Sequence, residues 1–331
     1  MRWKIIILGT ICLAATRGVA DLRADAGLPT RAPAVAKLNP AEVPADAKWI
    51  IYVNIDQAMR AAGAGKLLIQ FLHSHPPAQT SIDRIQTIMG NKFPGDFHRI
   101  VIVGRKIGPG HGVLIIHATA RQNHINKLIE LNTAASTITV GKTRINTIPS
   151  SDGNGYTTFE ASPLPGAFVV SRSEHSMANE INVLSGKSAG MAGNNPLLIG
   201  AHSGVVMYLA DTDIGQLSKD RGRHHPDPAW MKLVTDAWLA VRIKKGKLDI
   251  VGRLNLKSAE SAAQMAQMAQ GWQAAMDLAA TNANADAHQR FMAGMADRLN
   301  VGAIGKVVHI HWAMALSKLL AGPQNQPPAA Q

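Results

Sequence analysis

KWIIYVNID (residues 48–56) decides how this chain is to be read. From Trp49 to Ile55 both alternating faces are apolar, and Ile50, Ile51, Val53 and Ile55 are β-branched. A strand with no polar face belongs inside a sheet, covered on both sides, rather than at an edge. Asp56 then offers a carboxylate to start a helix through QAMRAAGAGKLLIQFL, which Gly63 and Gly65 weaken, and SIDRIQTIM (81–89) reads as a second helix. Outward from this point the chain continues as a hairpin, FHRIVIVG (97–104) and GVLIIHAT (112–119), turned by RKIGPGH. ARQNHINKLIEL (120–131) follows with helical spacing of Ile125, Leu128 and Ile129. Four short strands come next, around TITV, RINTI, YTTFEA and AFVVS. Ser171-Arg172-Ser173-Glu174 has the form of a capping box, and its helix is expected to run to Leu184 and stop at Gly186.

The second half repeats that order. GVVMYLADTDIGQL (204–217) echoes WIIYVNIDQAM, and AWLAVRI-KKGK-LDIVGRLNL (237–256) echoes the hairpin. SAESAAQMAQMAQGWQAAMDL (258–278) stands where the helix at 120–131 stood, and GKVVHIHWAMALSKLL (305–320) is a strand feeding a helix at 313–320. The fold expected is α+β: two similar units of mainly antiparallel sheet with helices packed on one face. The units span 47–200 and 201–321, after a linker at 21–46 without periodicity and before a polar, Pro-rich tail at 322–331. A groove between the units is the expected ligand position.

The first twenty residues, MRWKIIILGTICLAATRGVA, have the pattern of a secretory signal: Arg2 and Lys4, a short apolar run, then small residues before Asp21. The expectation is export, periplasmic or extracellular, after cleavage following Ala20. The run is short for an anchor, and Ile11 rather than a small residue precedes Cys12, which argues against a lipoprotein. Cys12 is the only cysteine, so the cleaved chain would hold no disulfide, thiolate metal site or cysteine nucleophile. No later segment reads as a membrane span. The formal charge is +12, or +9 once Arg2, Lys4 and Arg17 leave with the signal. That balance favours anionic partners such as an envelope component, but aromatics are too sparse for a nucleic-acid stacking platform.

VPADAKWIIYVNID, the later hairpin-helix block and NVLSGKS resemble uncharacterised exported proteins of planctomycete-type bacteria, in which a strand-helix-hairpin-helix unit occurs twice. The resemblance implies a scaffold and transfers no catalytic residue.

Three motifs suggest chemistry. Gly186-Lys187-Ser188-Ala189-Gly190 matches G-x-S-x-G, but a nucleophile elbow needs a strand before the serine and a helix after it, and here the order is reversed. Gly141-Lys142-Thr143 and Gly65-Lys66 lack the earlier glycine of a phosphate loop. His309 and His311 alternate along a strand and share a face, making them candidate metal ligands, though no nearby acid in sequence completes a site. His73, His75, His224 and His225 are further close pairs. Met265, Met268, Ala269, Trp272 and Met276 lie at helical spacing and are read as core. With no cofactor motif, the reading that remains is an exported, non-catalytic binding or scaffolding protein. The alternatives are a metal-assisted hydrolase using the histidines and a polyanion-binding envelope protein.

Overall fold

A computed structural model describes residues 38–61, 90–106, 110–119, 136–149, 157–201, 204–214, 229–282 and 285–321, with scattered positions between 63 and 87. The signal region, most of the linker, the histidine pairs at 73/75 and 224/225, Lys66, most of the helix read at 81–89, the helix read at 120–131 and the tail from 322 lie outside the described residues.

The protein is α+β and dominated by one antiparallel sheet of twelve strands. In the first half these are β1 (Trp49–Asn54), β2 (Phe97–Gly104), β3 (Gly112–Ala118), β4 (Ser136–Val140), β5 (Thr143–Pro149), β6 (Thr157–Leu164) and β7 (Ala167–Ser171). The second half adds β8 (Val205–Asp211), β9 (Val234–Lys244), β10 (Lys247–Leu256), β11 (Leu299–Ile304) and β12 (Val307–Ala315). The helices described in full are α1 (Ile55–Arg60), α2 (Glu174–Leu184), α3 (Ala259–Thr281), α4 (Ala287–Ala296) and α5 (Leu316–Ala321). Across the sheet the order is β11-β12-β10-β9-β8-β1-β2-β3-β7-β6-β5-β4. The strand read as central is central: β1 pairs with β2 on one side and with β8 on the other, Tyr52 lying opposite Tyr208. Both halves therefore share one continuous sheet.

Direct cross-strand partners point to the same face. The series Tyr52, Tyr208, Ala240, Val251, His311 therefore marks one face from the centre to the far strands. On the first half of that face α2 seals the sheet: its Met177 and Ile181 pack on Ile50, Val103, Val113, Ile115 and Val169, all buried. The connection between the halves continues the cover, with Leu197 and Leu198 over Tyr208 and Gly200 against the Trp238 ring. Tyr208 donates its hydroxyl proton to Leu197 O (2.9 Å) and accepts from Gly200 N (3.3 Å). On the opposite face α3 sets Ala262 and Ala266 against Leu256, Val301 and Val308. Beside it α4 sets Phe291 and Met295 against Trp312 and Met314.

Helices thus occupy both faces, which corrects the one-face expectation. The physical reason lies after β7 and β12. Ser173 caps α2 two residues beyond the strand end, turning it over the Tyr52 face, whereas α5 begins directly at Leu316 and buries Leu316 and Leu319 with α4 on the opposite face. The expected helix start at 313 is likewise two residues inside β12 and shifts to Leu316.

Other boundaries move for local reasons. The first helix is capped by Asn54, whose side chain accepts from Gln57 N, rather than by Asp56. Ser173 accepts from Ser176 N, so the Ser171–Glu174 capping box does not form; Ser171 Oγ instead takes Ser173 N (3.1 Å). Part of the expected linker is built into the fold: Asn39 caps a short 3-10 turn over Pro40–Glu42, and Leu38 and Val43 are buried. The methionine stripe is only partly core. Ala262, Ala266 and Ala269 let α3 sit close to the sheet, which leaves Met268 63% and Trp272 48% exposed.

A candidate binding face on the open half of the sheet

Among the described residues, cover over the Tyr52 face stops at β9. Beyond it β9, β10, β12 and β11 present polar side chains on that face, with no described helix above them. Arg242 lies opposite Asp249 in the register, and its Nη2 is 2.8 Å from Asp249 Oδ2. The other oxygen, Oδ1, is 2.9 Å from His311 Nε2. One carboxylate therefore ties three strands together. Further along the strands, past Ala240 and Val251, is a second polar line. Arg253 Nε donates to Asn255 Oδ1 (3.0 Å), Asn255 Nδ2 donates to Asp236 Oδ1, and Thr235 Oγ1 donates to Asp236 Oδ2 (2.9 Å). His309 lies directly opposite Arg253. Lys244 and Lys247 extend the same face at the hairpin end. That hairpin turns through Lys245 (φ 51°) and Gly246 (φ 71°), two left-handed residues as a tight two-residue turn requires. Two donors beneath the face, Arg242 Nε and Trp238 Nε1, are buried without an acceptor among the described residues.

His309 and His311 do share the exposed face, while Val308 and Trp312 point inward, where Trp312 Nε1 donates to Met295 O (2.7 Å). The expectation that no acid lies near them is corrected: antiparallel pairing of β10 with β12 brings Asp249 to His311 from a distant part of the sequence. Among the described residues no group of three His, Cys, Asp or Glu side chains is placed to hold a metal ion.

A second cluster sits under the sealed half. Glu42 Oε1 meets Arg99 Nη2 at 2.6 Å and its Oε2 meets His117 Nε2 at 3.1 Å. Burial pushes the Glu42 carboxyl up, but the hydrogen bond to His117 and the His117 and Arg99 charges outweigh it and hold the group below its usual range. Arg105 Nε pairs with Asp46 (2.6 Å), fastening the N-terminal segment to the end of β2. Behind this clasp lies a cavity of about 20 Å³, near the room one water needs. Glu180 of α2 lines it, fully buried, with neither carboxyl oxygen hydrogen-bonded among the described residues. Burial, reinforced by the Glu42 charge and opposed by Arg105, pushes Glu180 up to about 8. At neutral pH it is an uncharged acid. The cavity is too small for an organic ligand, so this cluster serves the closure of α2. Glu160 in β6 is also buried, which pushes it up to about 7.

The serine motif ends a helix. Gly186 has φ 71°, Gly186 N donates to Val183 O (3.0 Å), and Lys187 N and Ser188 N both donate to Asn182 O. Gly141-Lys142 is the turn between β4 and β5. At the junction of the halves a pocket of about 250 Å³ opens between α1 and the β9–β10 turn, lined by Gln57, Arg60, Ala61, Ile243, Lys245 and Gly246. No described helix is long and apolar enough to cross a membrane.

No protein-family model and no curated protein matches the chain. Among solved structures, crystal form III of TP0453, a Treponema protein, is similar at a TM-score of 0.46 and 10% identity, covering 88% of this chain and 99% of that one. Crystal form IV gives 0.48 and 10%, covering 86% and 96%.

Proposed function

We propose that this is an exported, non-catalytic binding protein built by duplication of one α+β unit, and that the open sheet face of the second unit holds an anionic envelope component. Duplication is supported by strand order. Counting outward from the centre, the first half runs β1-β2-β3-β7-β6 and the second runs β8-β9-β10-β12-β11, each led by a tyrosine of the central pair. Under that equivalence Val103 and Val113, which face each other across β2 and β3, correspond to Arg242 and Asp249 across β9 and β10. Ile115 corresponds to Val251, and Val169 to His311. His309 and His311 thus match Ala167 and Val169.

This exchange is the observation that carries the reading. Three buried valines under α2 are replaced, position by position, by an arginine, an aspartate and a histidine on a face left open. Charged groups in place of core residues serve no packing purpose. Both carboxylates of the face are already engaged, Asp249 by Arg242 and His311 and Asp236 by Asn255 and Thr235. The basic groups Arg253, Lys244, Lys247 and His309 remain to meet an anion, in keeping with the basic chain. The double engagement of Asp249 also favours binding over metal-assisted hydrolysis, because metal ligation would have to break it.

Retention on dextran sulfate resin tests the reading. The chain from Asp21 onward should bind at low salt and elute as salt rises. Lys247→Ala/Arg253→Ala/His309→Ala should weaken binding to soluble dextran sulfate by about tenfold or more, as loss of about 1.4 kcal/mol would. A folded wild type that flows through, or a triple variant that binds as well, rejects it. Mass spectrometry of the exported form, finding Asp21 at the amino end, tests the export step separately.

A further inference from the structure

We propose that the chain forms a two-fold symmetric dimer in which the β11 edges of two copies pair antiparallel and the α3 helices pack across the junction. β11 is the last described strand of the sheet, and one side of its backbone faces no strand among the described residues. Protein edges are normally blunted by charge, proline or a bulge. Leu299-Asn300-Val301-Gly302-Ala303-Ile304 has none of these: no charged residue, no proline and an unbroken register with β12, while Ile304 is 74% exposed.

The helix above this edge has the surface a partner needs. α3 lies along β11, with Ala262, Ala266 and Ala269 against the sheet. Gln273 Nε2, in line with those alanines, donates to Ala296 O (2.9 Å) and to Leu299 O, while Asp277 lies against Asp297 at the end of α4, so α4 stands on the Asp277 flank, over Leu248, Ile250 and Trp312 towards the sheet centre. At 100° per residue, Met268, Trp272, Ala275 and Ala279, all exposed, fall on the opposite flank, which faces outward past β11, with half-buried Met276 at its border and Met265 turned in against the sheet. That flank carries no charge, and both acids of the helix, Glu260 and Asp277, lie elsewhere on it.

A second copy satisfies both features at once. An antiparallel pair of identical strands obeys a two-fold axis, and the same axis sets helix against helix. α3, at 23 residues, is about 34 Å long and about 10 Å wide, offering roughly 340 Å². Six residues of edge strand add about 200 Å². The sum, about 1,100 Å² over both partners, reaches the roughly 1,000 Å² that a specific interface needs. Centring the pair on Val301 keeps paired side chains on matching faces. It also brings exposed Asp297 beside the partner's Lys306 at both ends, so charge is complementary where the apolar strip stops.

Sedimentation equilibrium of the chain from Asp21 onward is the test. The expected result is a dimer at about 10 μM. Met268→Glu/Trp272→Glu, both exposed and outside the core, should raise the dimer dissociation constant about 100-fold or more while circular dichroism stays unchanged. Lys306→Glu should raise it about tenfold, and adding Asp297→Lys should restore it. A wild type that remains monomeric at about 100 μM overturns the proposal, as does a dimer indifferent to the helix variant. A monomer that floats with phosphatidylglycerol–phosphatidylethanolamine vesicles through Met268 and Trp272 also overturns it, and assigns the helix flank to lipid. Failure of rescue by the charge swap overturns the register centred on Val301.

Discussion

Replacing Glu180 with glutamine should make the protein more stable, and by an amount set by pH. The carboxyl is fully buried, without a hydrogen-bond partner among the described residues, and burial raises it from the ordinary 4.5 to about 8. A group held above its unfolded value binds its proton more tightly in the native state. Its contribution is therefore whole below about pH 4.5 and is lost progressively as pH rises towards 8. Each unit in that window costs about 1.4 kcal/mol, so at pH 7 the wild type has given up about 3 kcal/mol. Glutamine has the shape of the protonated acid and no proton to lose. Urea unfolding midpoints measured from pH 5 to pH 8 should show the variant gaining little at pH 5 and about 3 kcal/mol at pH 7. Glu160, raised to about 7, has the same sign and keeps part of the slope in the variant. Glu42 has the opposite sign: held below its usual range, it contributes stability above about pH 4.5 that is lost on acidification, so Glu42→Gln should flatten only the acid limb. A stability difference between wild type and Glu180→Gln that does not change with pH would refute the reasoning, because it would mean that Glu180 is solvated or paired in solution.

Gly186→Val should cost about 1–2 kcal/mol, because φ 71° resists a β-branched residue although the space around its Cβ is open. Ser188→Ala, by contrast, should change stability by less than about 0.5 kcal/mol, and a fluorophosphonate probe should leave Ser188 unlabelled; labelling would restore the nucleophile reading. Tyr208→Phe should cost about 1–3 kcal/mol in chemical denaturation, since it strips Leu197 O and Gly200 N of their buried partner; a neutral result would mean that water replaces the hydroxyl.

The strands were legible wherever burial imposes a pattern. Trp49–Asn54, both hairpins and the β12 alternation follow from the two-residue period, and the turn at Lys245-Gly246 from its glycine. Three parts were not legible. β11 reads as Leu-Asn-Val-Gly-Ala-Ile, with glycine and alanine where a strand signal needs branched residues. α4 hides its start at Asp286, whose capping box with Gln289 can be found in sequence only if a helix is already expected there. The turn at Pro40–Glu42 was passed over because its one sign, Asn39 before Pro40, stands in a stretch without periodicity. The candidate face was half legible: alternation put His309 and His311 outward, but their partner depends on which strand pairs with β12. Sequence gives no hint that Asp249 and Arg242 sit beside them, because register is fixed by the whole hairpin. The exposure of Met268 and Trp272 was missed because alanines at the same helical spacing compete for the sheet and, being smaller, come closer.

The placing of β1 has a consequence for biosynthesis. The first described strand is also the one whose second neighbour, β8, is made only after the whole first half. Until Val205–Asp211 leaves the ribosome, Trp49–Asn54 presents an unpaired apolar edge to whatever lies nearby. Such an edge in a nascent chain pairs readily with another of its kind. A chain arrested after Ser171 would hold seven strands with β1 as an open edge, so the interval between the two tyrosines is when this protein most needs a chaperone.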